Sequence, residues 1–240
     1  MKLPQKDRLL GFAAALCFPR RCRYCGRVVG FAPGCGACEK ELPKTLLSLE
    51  EKILFLRSTE CPCLSGLAVK WKYEGPIRRG IARLKFGGEY PLGELYGAEL
   101  IEPAAALFGQ VRFDLVVPVP AAQESLKERG CNVAALLAAP LAKRFGAELS
   151  DCIGREFETR AQHKLSRKER KVNLLGVFTA PEAVAGKTVL LVDDVITTGS
   201  TMEECARALL LAGAKRVYGA VYAAAMPPKE EKKKENDRWH

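Results

Sequence analysis

The stretch VLLVDDVITTGST, residues 189–201, brings together the residue types that bind a sugar phosphate. Its four leading apolar residues are typical of a strand buried on both faces of a parallel sheet. The glycine and hydroxyl residues at its end predict the start of a helix, where free backbone N–H groups and a partial positive charge attract an anion. A glycine there also lets the backbone approach a ligand closely. The predicted phosphate-binding residues are Thr197, Thr198, Gly199, Ser200 and Thr201.

Two adjacent carboxylates, Asp193 and Asp194, stand between the apolar run and this loop. A carboxylate repels a bound phosphate unless another group lies between them. A ribose satisfies this condition, because its 5′-phosphate would occupy the loop while its 2′ and 3′ hydroxyls donate charge-assisted hydrogen bonds to the carboxylates. The motif therefore predicts a ribose 5-phosphate site. The alternative is an acidic turn followed by an ordinary helix that Ser200 or Thr201 caps.

The same motif resembles the phosphoribosyl pyrophosphate (PRPP) motif of type I phosphoribosyltransferases. The segments PVPAAQESLKERGCN (118–132) and REFETRAQHKLSRKERKVNLLGVF (155–178) resemble the corresponding segments of the ComF/GntX family. With RLKFGG (83–88) and a cysteine-rich start, the resemblance covers nearly the whole chain apart from its tail. The family pattern is matched at Arg129, Gly130, Asn132, Arg155, Thr159, Gln162, Leu165, Arg170 and Asn173. It departs at Cys131, where an aromatic residue is usual, and at Val133, where glutamine is usual.

The resemblance implies an α/β fold, namely a type I phosphoribosyltransferase-like, doubly wound, mainly parallel sheet with a small N-terminal four-cysteine zinc module. The apolar pattern agrees, because a buried strand, a helix and a second strand follow one another from residue 189 onward, as in a βαβ unit. Strands are predicted at 66–73, 114–120 and 189–192 and in the later segment RVYGAVYAAA. Helices are predicted at 5–16, 42–56, 76–86, 91–108 and 131–146 and after the motif.

Three regions follow from these elements. Residues 1–60 are predicted to form an N-terminal helix and zinc-binding module, residues 61–226 the phosphoribosyltransferase-type domain, and residues 227–240 a charged, disordered tail. No apolar run reaches the roughly 18 residues that a membrane span requires. Basic residues precede the apolar run LLGFAAALCF, but no convincing signal-peptide cleavage site follows it, so we expect a cytoplasmic protein.

The resemblance also implies how the site would work. Phosphoribosyl transfer breaks the bond between ribose C1 and pyrophosphate, so positive charge on the sugar and negative charge on the leaving group must be stabilised. Mg²⁺, held mainly by oxygens of the substrate, would neutralise the pyrophosphate. From its place on the sheet, the turn at 118–123 is expected to direct backbone N–H groups at the leaving group. The expected catalytic residues are Asp193, Asp194, Arg170 and Arg129, and the further substrate-binding residues are Pro118, Val119, Pro120, Asn132, Gln162, Asn173 and, by resemblance alone, Lys85.

The segment at 155–173 is rich in arginine and lysine and has few large apolar residues to anchor it. This composition predicts a lid that folds over bound PRPP, excludes water and brings cations to the leaving group. The alternative is an exposed charged hairpin without a role. His163, within this segment, is isolated and is not predicted to act as a general base.

Four cysteines have the spacing of a metal site. Cys22 and Cys25 form one Cys-x-x-Cys turn, and Cys35 and Cys38 form a second one close by. Four thiolates suit tetrahedral zinc and leave no open position, so the predicted site is structural. A redox pair is the alternative for one such turn, but two neighbouring turns favour metal. Whether Cys17, Cys61 and Cys63 also bind metal stays open.

The formal net charge is +10, and basic residues are in excess within 1–60 and 151–188, which suits an anionic partner. Four arginines of the first cysteine turn surround Tyr24, namely Arg20, Arg21, Arg23 and Arg27. Cations around an aromatic ring predict contact with single-stranded DNA, through phosphate pairing and base stacking. The alternative is a solvated basic surface on a small module.

Two functions therefore compete. In the first, the protein is an enzyme that binds PRPP with Mg²⁺ and transfers ribosyl 5-phosphate to a nitrogenous acceptor; in the second, it senses PRPP or a nucleoside monophosphate without catalysis and assists single-stranded DNA handling. The family resemblance links both to DNA uptake in natural competence and to a protein partner of that machinery. The sequence does not identify the acceptor, because no sharp motif encodes acceptor specificity.

Overall fold

The largest element of the protein is a sheet of five parallel strands. The computed structural model describes residues 20–30, 32, 34–59, 61–155 and 177–226. The strands are β1 (Arg20–Arg21), β2 (Val28–Gly30), β3 (Leu67–Lys72), β4 (Leu115–Pro118), β5 (Glu148–Leu149), β6 (Gly154–Arg155), β7 (Phe178–Thr179), β8 (Thr188–Ile196) and β9 (Arg216–Ala224). The main sheet has the order β3–β9–β8–β4–β5, and every neighbouring pair is parallel. Two antiparallel pairs, β1–β2 and β6–β7, lie outside it.

Helices cover both faces of this sheet. They are α1 (Gly36–Glu41), α2 (Leu49–Ser58), α3 (Gly75–Phe86), α4 (Pro91–Phe108), α5 (Gln123–Arg129), α6 (Val133–Phe145) and α7 (Ser200–Leu211). One core forms between the sheet and helices α3, α4 and α6, and the other forms between the sheet and helices α2 and α7. Leu190 and Val192 of β8 enter the first core, whereas Val189 and Leu191 enter the second. The apolar run is therefore buried on both faces, and the predicted doubly wound, mainly parallel sheet is confirmed.

Strand β8 is longer than its apolar run. It pairs with β9 as far as Ile196, so Asp193 and Asp194 lie within the strand. The sequence had predicted a strand that ends at residue 192, just before these two residues. The prediction ended the strand at the last apolar residue, but backbone pairing with β9 continues regardless of the side chains. The other strands predicted at 66–73 and 114–120 are confirmed, with each end shorter by one or two residues.

The predicted helix at 42–56 is wrong as a single element. A short 3₁₀ turn, Leu42–Thr45, comes first, and Leu46 then forms an antiparallel bridge with Trp71. Helix α2 begins afterwards with a capping box, in which the Ser48 hydroxyl accepts from the Glu51 N–H and the Glu51 carboxylate accepts from the Ser48 N–H. Such a box marks the start of a helix, and it therefore separates helix α2 from the preceding 3₁₀ turn. The helices predicted at 76–86, 91–108 and 131–146 are confirmed.

Glu99 of α4 joins the cysteine turns to the main sheet. Its carboxylate forms an ion pair with Arg23, with 2.6 Å between Nη1 and Oε1. It also accepts hydrogen bonds from the Trp71 indole at 3.3 Å and the Tyr222 hydroxyl at 2.8 Å. Tyr96 stacks on Tyr222 with ring centroids 4.6 Å apart and donates its hydroxyl hydrogen to the Arg23 carbonyl. One half-buried carboxylate thus contacts three separate parts of the chain, and a satisfied network of this kind favours a single arrangement.

Some predictions fall on residues outside the described ranges. These are the helix at 5–16, most of the expected lid at 155–173, and the tail at 227–240. In the part of the chain that is described, no helix combines the length and the apolarity needed to cross a membrane.

Candidate functional site

The predicted phosphate loop connects β8 to α7 at the carboxyl edge of the sheet, where open parallel sheets bind their ligands. Gly199 is the N-cap residue of α7, with φ of 86°, and no side chain caps this helix end. A Cβ atom on Gly199 would lie 2.6 Å from both the Cys61 sulfur and the Thr59 methyl group. Both the left-handed backbone and the lack of space therefore require glycine here.

The hydroxyl groups of the loop lie together around this helix end. Thr198 Oγ1 is 2.9 Å from Ser200 Oγ, and it accepts a longer hydrogen bond, at 3.4 Å, from the Ser200 N–H. A cavity of about 40 Å³ is lined by Asp193 and residues 195–202. Because no side chain caps α7 at its N-cap residue, the N–H groups of its first turn other than that of Ser200 remain available to an anion in this cavity.

Asp194 is paired with Lys85, which α3 brings in from a distant part of the sequence. Lys85 Nζ lies 2.9 Å from Oδ1 and 2.7 Å from Oδ2 of Asp194, so the contact is bidentate. Asp194 is buried, and its N–H donates to Asp193 Oδ1 at 2.8 Å. The Lys85 ammonium group offsets the negative charge of Asp194. Among the described residues, it is a basic group that forms an ion pair with the motif. Lys85 was predicted as a site residue from the family resemblance alone, and the structure places it in contact with Asp194 of the carboxylate pair.

Asp193 holds its proton more tightly than an ordinary aspartate. Burial raises the pKa of this carboxyl, and the neighbouring charge of Asp194 raises it further, to about 8, although the Asp194 N–H and the Lys85 ammonium oppose the shift. Adjacent carboxyl groups with a raised pKa are typical of functional sites.

The turn after β4 lies beside the loop, because β4 and β8 are neighbours in the sheet. Pro118 is in register with Val192, and the Val119 N–H donates to the Val192 carbonyl at 2.8 Å. Asn132 caps α6 through its Oδ1 and donates from Nδ2 to the Val119 carbonyl at 3.0 Å. Both ends of this amide are therefore engaged in holding the turn in place.

The remaining predicted residues divide into two groups. Arg129 ends α5, and its guanidinium lies over the Phe86 ring at 5.1 Å from the centroid. Pro120 lies in the short link between β4 and α5. Three other predicted residues lie outside the described part of the chain, namely Arg170, Gln162 and Asn173.

The four predicted metal-ligating cysteines come together. The sulfur atoms of Cys22, Cys25, Cys35 and Cys38 all lie within 4.8 Å of one another. Sulfurs around one tetrahedral zinc are about 3.8 Å apart, since each Zn–S bond is about 2.3 Å, and the distance between the Cys25 and Cys35 sulfurs is 3.6 Å. The cluster therefore fits a structural zinc module.

The surroundings of these thiols differ. Burial opposes ionisation of Cys22, but backbone N–H groups lower its pKa to about 6, whereas burial raises the pKa of Cys38 to about 12. A thiolate at Cys38 therefore requires a cation. Arg79 of α3 donates to the Cys38 sulfur at 3.6 Å.

Cys61 and Cys63 do not join this cluster. Cys61 packs against the phosphate loop and donates its thiol hydrogen to the Gly199 carbonyl at 3.5 Å. The Cys63 N–H donates to the buried carboxylate of Glu203 on α7 at 3.0 Å. Burial raises the pKa of Cys61 to about 12, which keeps the thiol protonated. No signal in the sequence indicated that this turn lies behind the phosphate loop.

Comparison with known proteins agrees with this arrangement. Residues 132–240 match the model of the phosphoribosyl transferase domain family. The DNA utilization protein YhgH of Escherichia coli (strain K12) is 40% identical over 105 residues, 43% of this chain and 46% of that protein. Competence protein F of Haemophilus influenzae is 29% identical over 203 residues, 82% of this chain and 81% of that protein. Competence protein ComFC of Bacillus subtilis is 27% identical over 143 residues, 60% of this chain and 57% of that protein. These relatives support the resemblance to the ComF family.

The expected fold class, a type I phosphoribosyltransferase-like sheet preceded by a four-cysteine module, is confirmed. The chain spans about half the length of the first relative that it matches.

The basic surface of the cysteine turns differs from the prediction. Tyr24 is 3% exposed, so it cannot stack on a base, and Arg23 is occupied by Glu99. The prediction of an aromatic ring among cations is therefore wrong for these two residues, because α3 and α4 cover that side of the module. Arg20, Arg21 and Arg27 remain exposed.

Asp193→Asn is expected to flatten the pH dependence of stability. Between the ordinary aspartate pKa of about 4 and the raised value of about 8, the folded protein retains a proton that the unfolded chain has released. The free energy of unfolding of the wild type therefore falls as pH rises through this window. In urea titrations, the fall between about pH 5 and pH 8 should be smaller in the variant by at least about 1 kcal/mol.

Asp151→Asn is the control, since it removes an exposed carboxyl from another part of the surface and should leave the slope unchanged. Parallel pH profiles for Asp193→Asn and the wild type would contradict the raised pKa.

Proposed function

We propose that this protein binds PRPP together with Mg²⁺ and transfers ribosyl 5-phosphate to a nitrogenous acceptor. The observation that carries the proposal is the placement of a paired carboxylate, Asp193 and Asp194, directly before an uncapped helix end at Gly199. This spacing suits a ribose whose hydroxyls and phosphate are recognised at opposite ends. The match of residues 132–240 to the phosphoribosyl transferase domain family supports the same activity.

The described residues divide the work of binding. The loop at 197–201 would hold the 5′-phosphate through N–H and hydroxyl donors, and the carboxylates would accept from the ribose 2′ and 3′ hydroxyls. Lys85, already bound to Asp194, would fix the orientation of that carboxylate and limit the repulsion between the pair. Because β4 neighbours β8, the turn at 118–123 would face the leaving group. Mg²⁺, held mainly by substrate oxygens, would neutralise the pyrophosphate.

Replacing both carboxylates should weaken PRPP binding. The double variant Asp193→Asn, Asp194→Asn replaces the carboxyl acceptors of the ribose hydroxyls by neutral amides, and a hydrogen bond to a charged group contributes about 1.5–3 kcal/mol. We expect affinity for PRPP with Mg²⁺ to fall by at least about tenfold in calorimetric titrations. Pyrophosphate release in the presence of a panel of nitrogenous bases should be lost.

Asp151→Asn again serves as the control and should bind PRPP like the wild type. Equal PRPP affinity in the double variant and the wild type would refute this ribose site. Binding of PRPP without release of pyrophosphate for any base would refute catalysis and leave a sensor.

We also propose that the four-cysteine cluster holds a structural zinc ion. The approach of four sulfurs to within 4.8 Å of one another supports this ion over a redox pair. In small zinc modules the binding energy is folding energy, on the order of 10 kcal/mol. The cluster contacts α3 through Arg79, so loss of the ion should loosen the helix that presents Lys85.

Purified protein is expected to contain one zinc ion per chain by elemental analysis. Cys25→Ser should lose the ion and melt at lower temperature, because one of the four thiolates is removed. Cys131→Ser, which changes a thiol outside the cluster, should keep the ion and the melting temperature. Full zinc content in Cys25→Ser, or none in the wild type, would contradict the assignment.

A second candidate function is contact with single-stranded DNA during DNA uptake. The relatives named DNA utilization protein and Competence protein F favour this role, and Arg20, Arg21 and Arg27 offer an exposed basic surface for a strand. Such a role is compatible with PRPP binding, since the two surfaces differ. A protein partner from the competence machinery belongs to the same proposal.

Replacing Arg20, Arg21 and Arg27 by alanine should weaken single-strand binding and lower the slope of log affinity against log salt by about 2, since three phosphate contacts are lost. Fluorescence anisotropy with a labelled oligonucleotide measures both. A control variant with the same charge change, at the exposed residues Lys143, Arg144 and Arg216, should have little effect. Equal losses in the two variants would reject a defined DNA surface on the cysteine turns.

A further inference from the structure

Phe86 is a large aromatic side chain exposed at the edge of the candidate site. It is the last residue of α3, and it is 74% exposed. Lys85, the residue before it, reaches the Asp194 carboxylate at 2.7 Å. Gly87 and Gly88 follow, and a Cβ atom on Gly88 would meet nothing within 4 Å, so the space beyond the helix end is open. An exposed phenyl ring at this place packs against no core.

A guanidinium group is held against this ring. The Arg129 guanidinium carbon lies 5.1 Å from the centroid of Phe86, within the range of a cation–π contact. The Tyr90 hydroxyl donates to the Arg129 carbonyl, which fixes the end of α5 beside the ring. The Nε atom of Arg129 is buried and has no hydrogen-bond partner among the described residues. The ring therefore positions the cation while most of the phenyl surface stays open to a ligand.

An open aromatic surface beside a positioned guanidinium is chemistry that recognises a nucleotide. Any planar heterocyclic base can stack on an aromatic ring, because every base has a π-face. Arginine adds both stacking and pairing with phosphate oxygens. The two halves come from different elements, α3 and α5, that flank the same carboxyl edge of the sheet. A ligand on Phe86 would lie beside the residue that contacts the carboxylate pair.

We propose that Phe86, with Arg129 over one part of its ring, forms a stacking platform for a planar nitrogenous base. This inference rests on the proposed function, because it places the base next to the predicted ribose 5-phosphate. The base belongs either to a free nucleotide or acceptor, or to a nucleotide of a single strand. Both sources share the same flat π-surface, and the experiment separates them.

The test compares ligands that differ only by the base. Adenosine 5′-monophosphate and ribose 5-phosphate are each titrated into three proteins, namely the wild-type chain and the variants Phe86→Leu and Phe86→Ala. Alanine substitution of a stacking residue weakens base binding by about 1–3 kcal/mol, so adenosine monophosphate affinity should fall about tenfold. Phe86→Leu, which keeps an apolar side chain without a π-face, should fall nearly as far. Ribose 5-phosphate affinity should not change in either variant.

Leu211→Ala is the matched control, because Leu211 is also a highly exposed apolar residue but lies at the far end of α7. It should leave all affinities unchanged. The exposure of Phe86 means that its variants should keep the wild-type melting temperature. As a second readout, Phe86→Trp places an indole on the platform, whose fluorescence should be quenched by adenosine monophosphate and not by ribose 5-phosphate.

A second arm uses a short deoxythymidine oligonucleotide and thymidine monophosphate. A loss with mononucleotides in Phe86→Ala assigns the platform to a free nucleotide, and a loss with the oligonucleotide alone assigns it to a strand; either result supports the proposal. Unchanged affinity for every base-containing ligand in Phe86→Ala overturns it. Failure of ribose 5-phosphate and PRPP to bind the wild type instead overturns the proposed function, while the oligonucleotide arm still tests the platform.

Discussion

Two neighbouring carboxylates in a buried strand repel each other, and the elements around them limit that repulsion. Lys85 enters from α3 and pairs with Asp194 through both carboxylate oxygens, while Asp193 accepts from the backbone of its neighbour. Because charges are costly to bury unpaired, the placement of α3 is a condition for the motif to exist at this depth in the sheet. Without that lysine, the pKa of Asp193 would be raised further, because the ammonium group opposes the shift that burial and Asp194 cause.

Helix α3 in turn depends on the cysteine module. One side of the helix carries Arg79, which reaches the Cys38 sulfur, and Arg83, which donates to the Cys22 carbonyl and to Glu89. The end of the same helix carries Lys85. The four cysteines and the carboxylate pair are therefore connected by a single rigid element, and Glu99 adds a second link from the module to the sheet. Through these contacts the small module adjoins the helix that presents Lys85 to the carboxylate pair.

Local patterns in the sequence predicted the structural features that are determined by residues close together in the chain. The all-apolar run predicted β8, glycine and hydroxyl residues predicted the loop before α7, and Cys-x-x-Cys spacing predicted the four-cysteine cluster. Contacts between distant segments were not predictable. Tyr24 is buried because two helices cover it, Glu99 has three partners from separate elements, and β8 extends past its apolar run because β9 pairs with it. The predicted role of Lys85 came from resemblance, and its ion pair could be found only in the folded chain.

The close packing of Gly199 against Cys61 also constrains how the two positions can vary among relatives. The carbonyl of Gly199 accepts from the thiol, and the glycine has no room for a methyl group on that side. A bulkier side chain at position 61 would therefore push on the loop from behind, and only a compensating change elsewhere in the turn at 59–64 would restore its shape. In an alignment of homologues, position 199 should consequently stay glycine, and position 61 should be confined to small side chains, although the two are far apart along the chain.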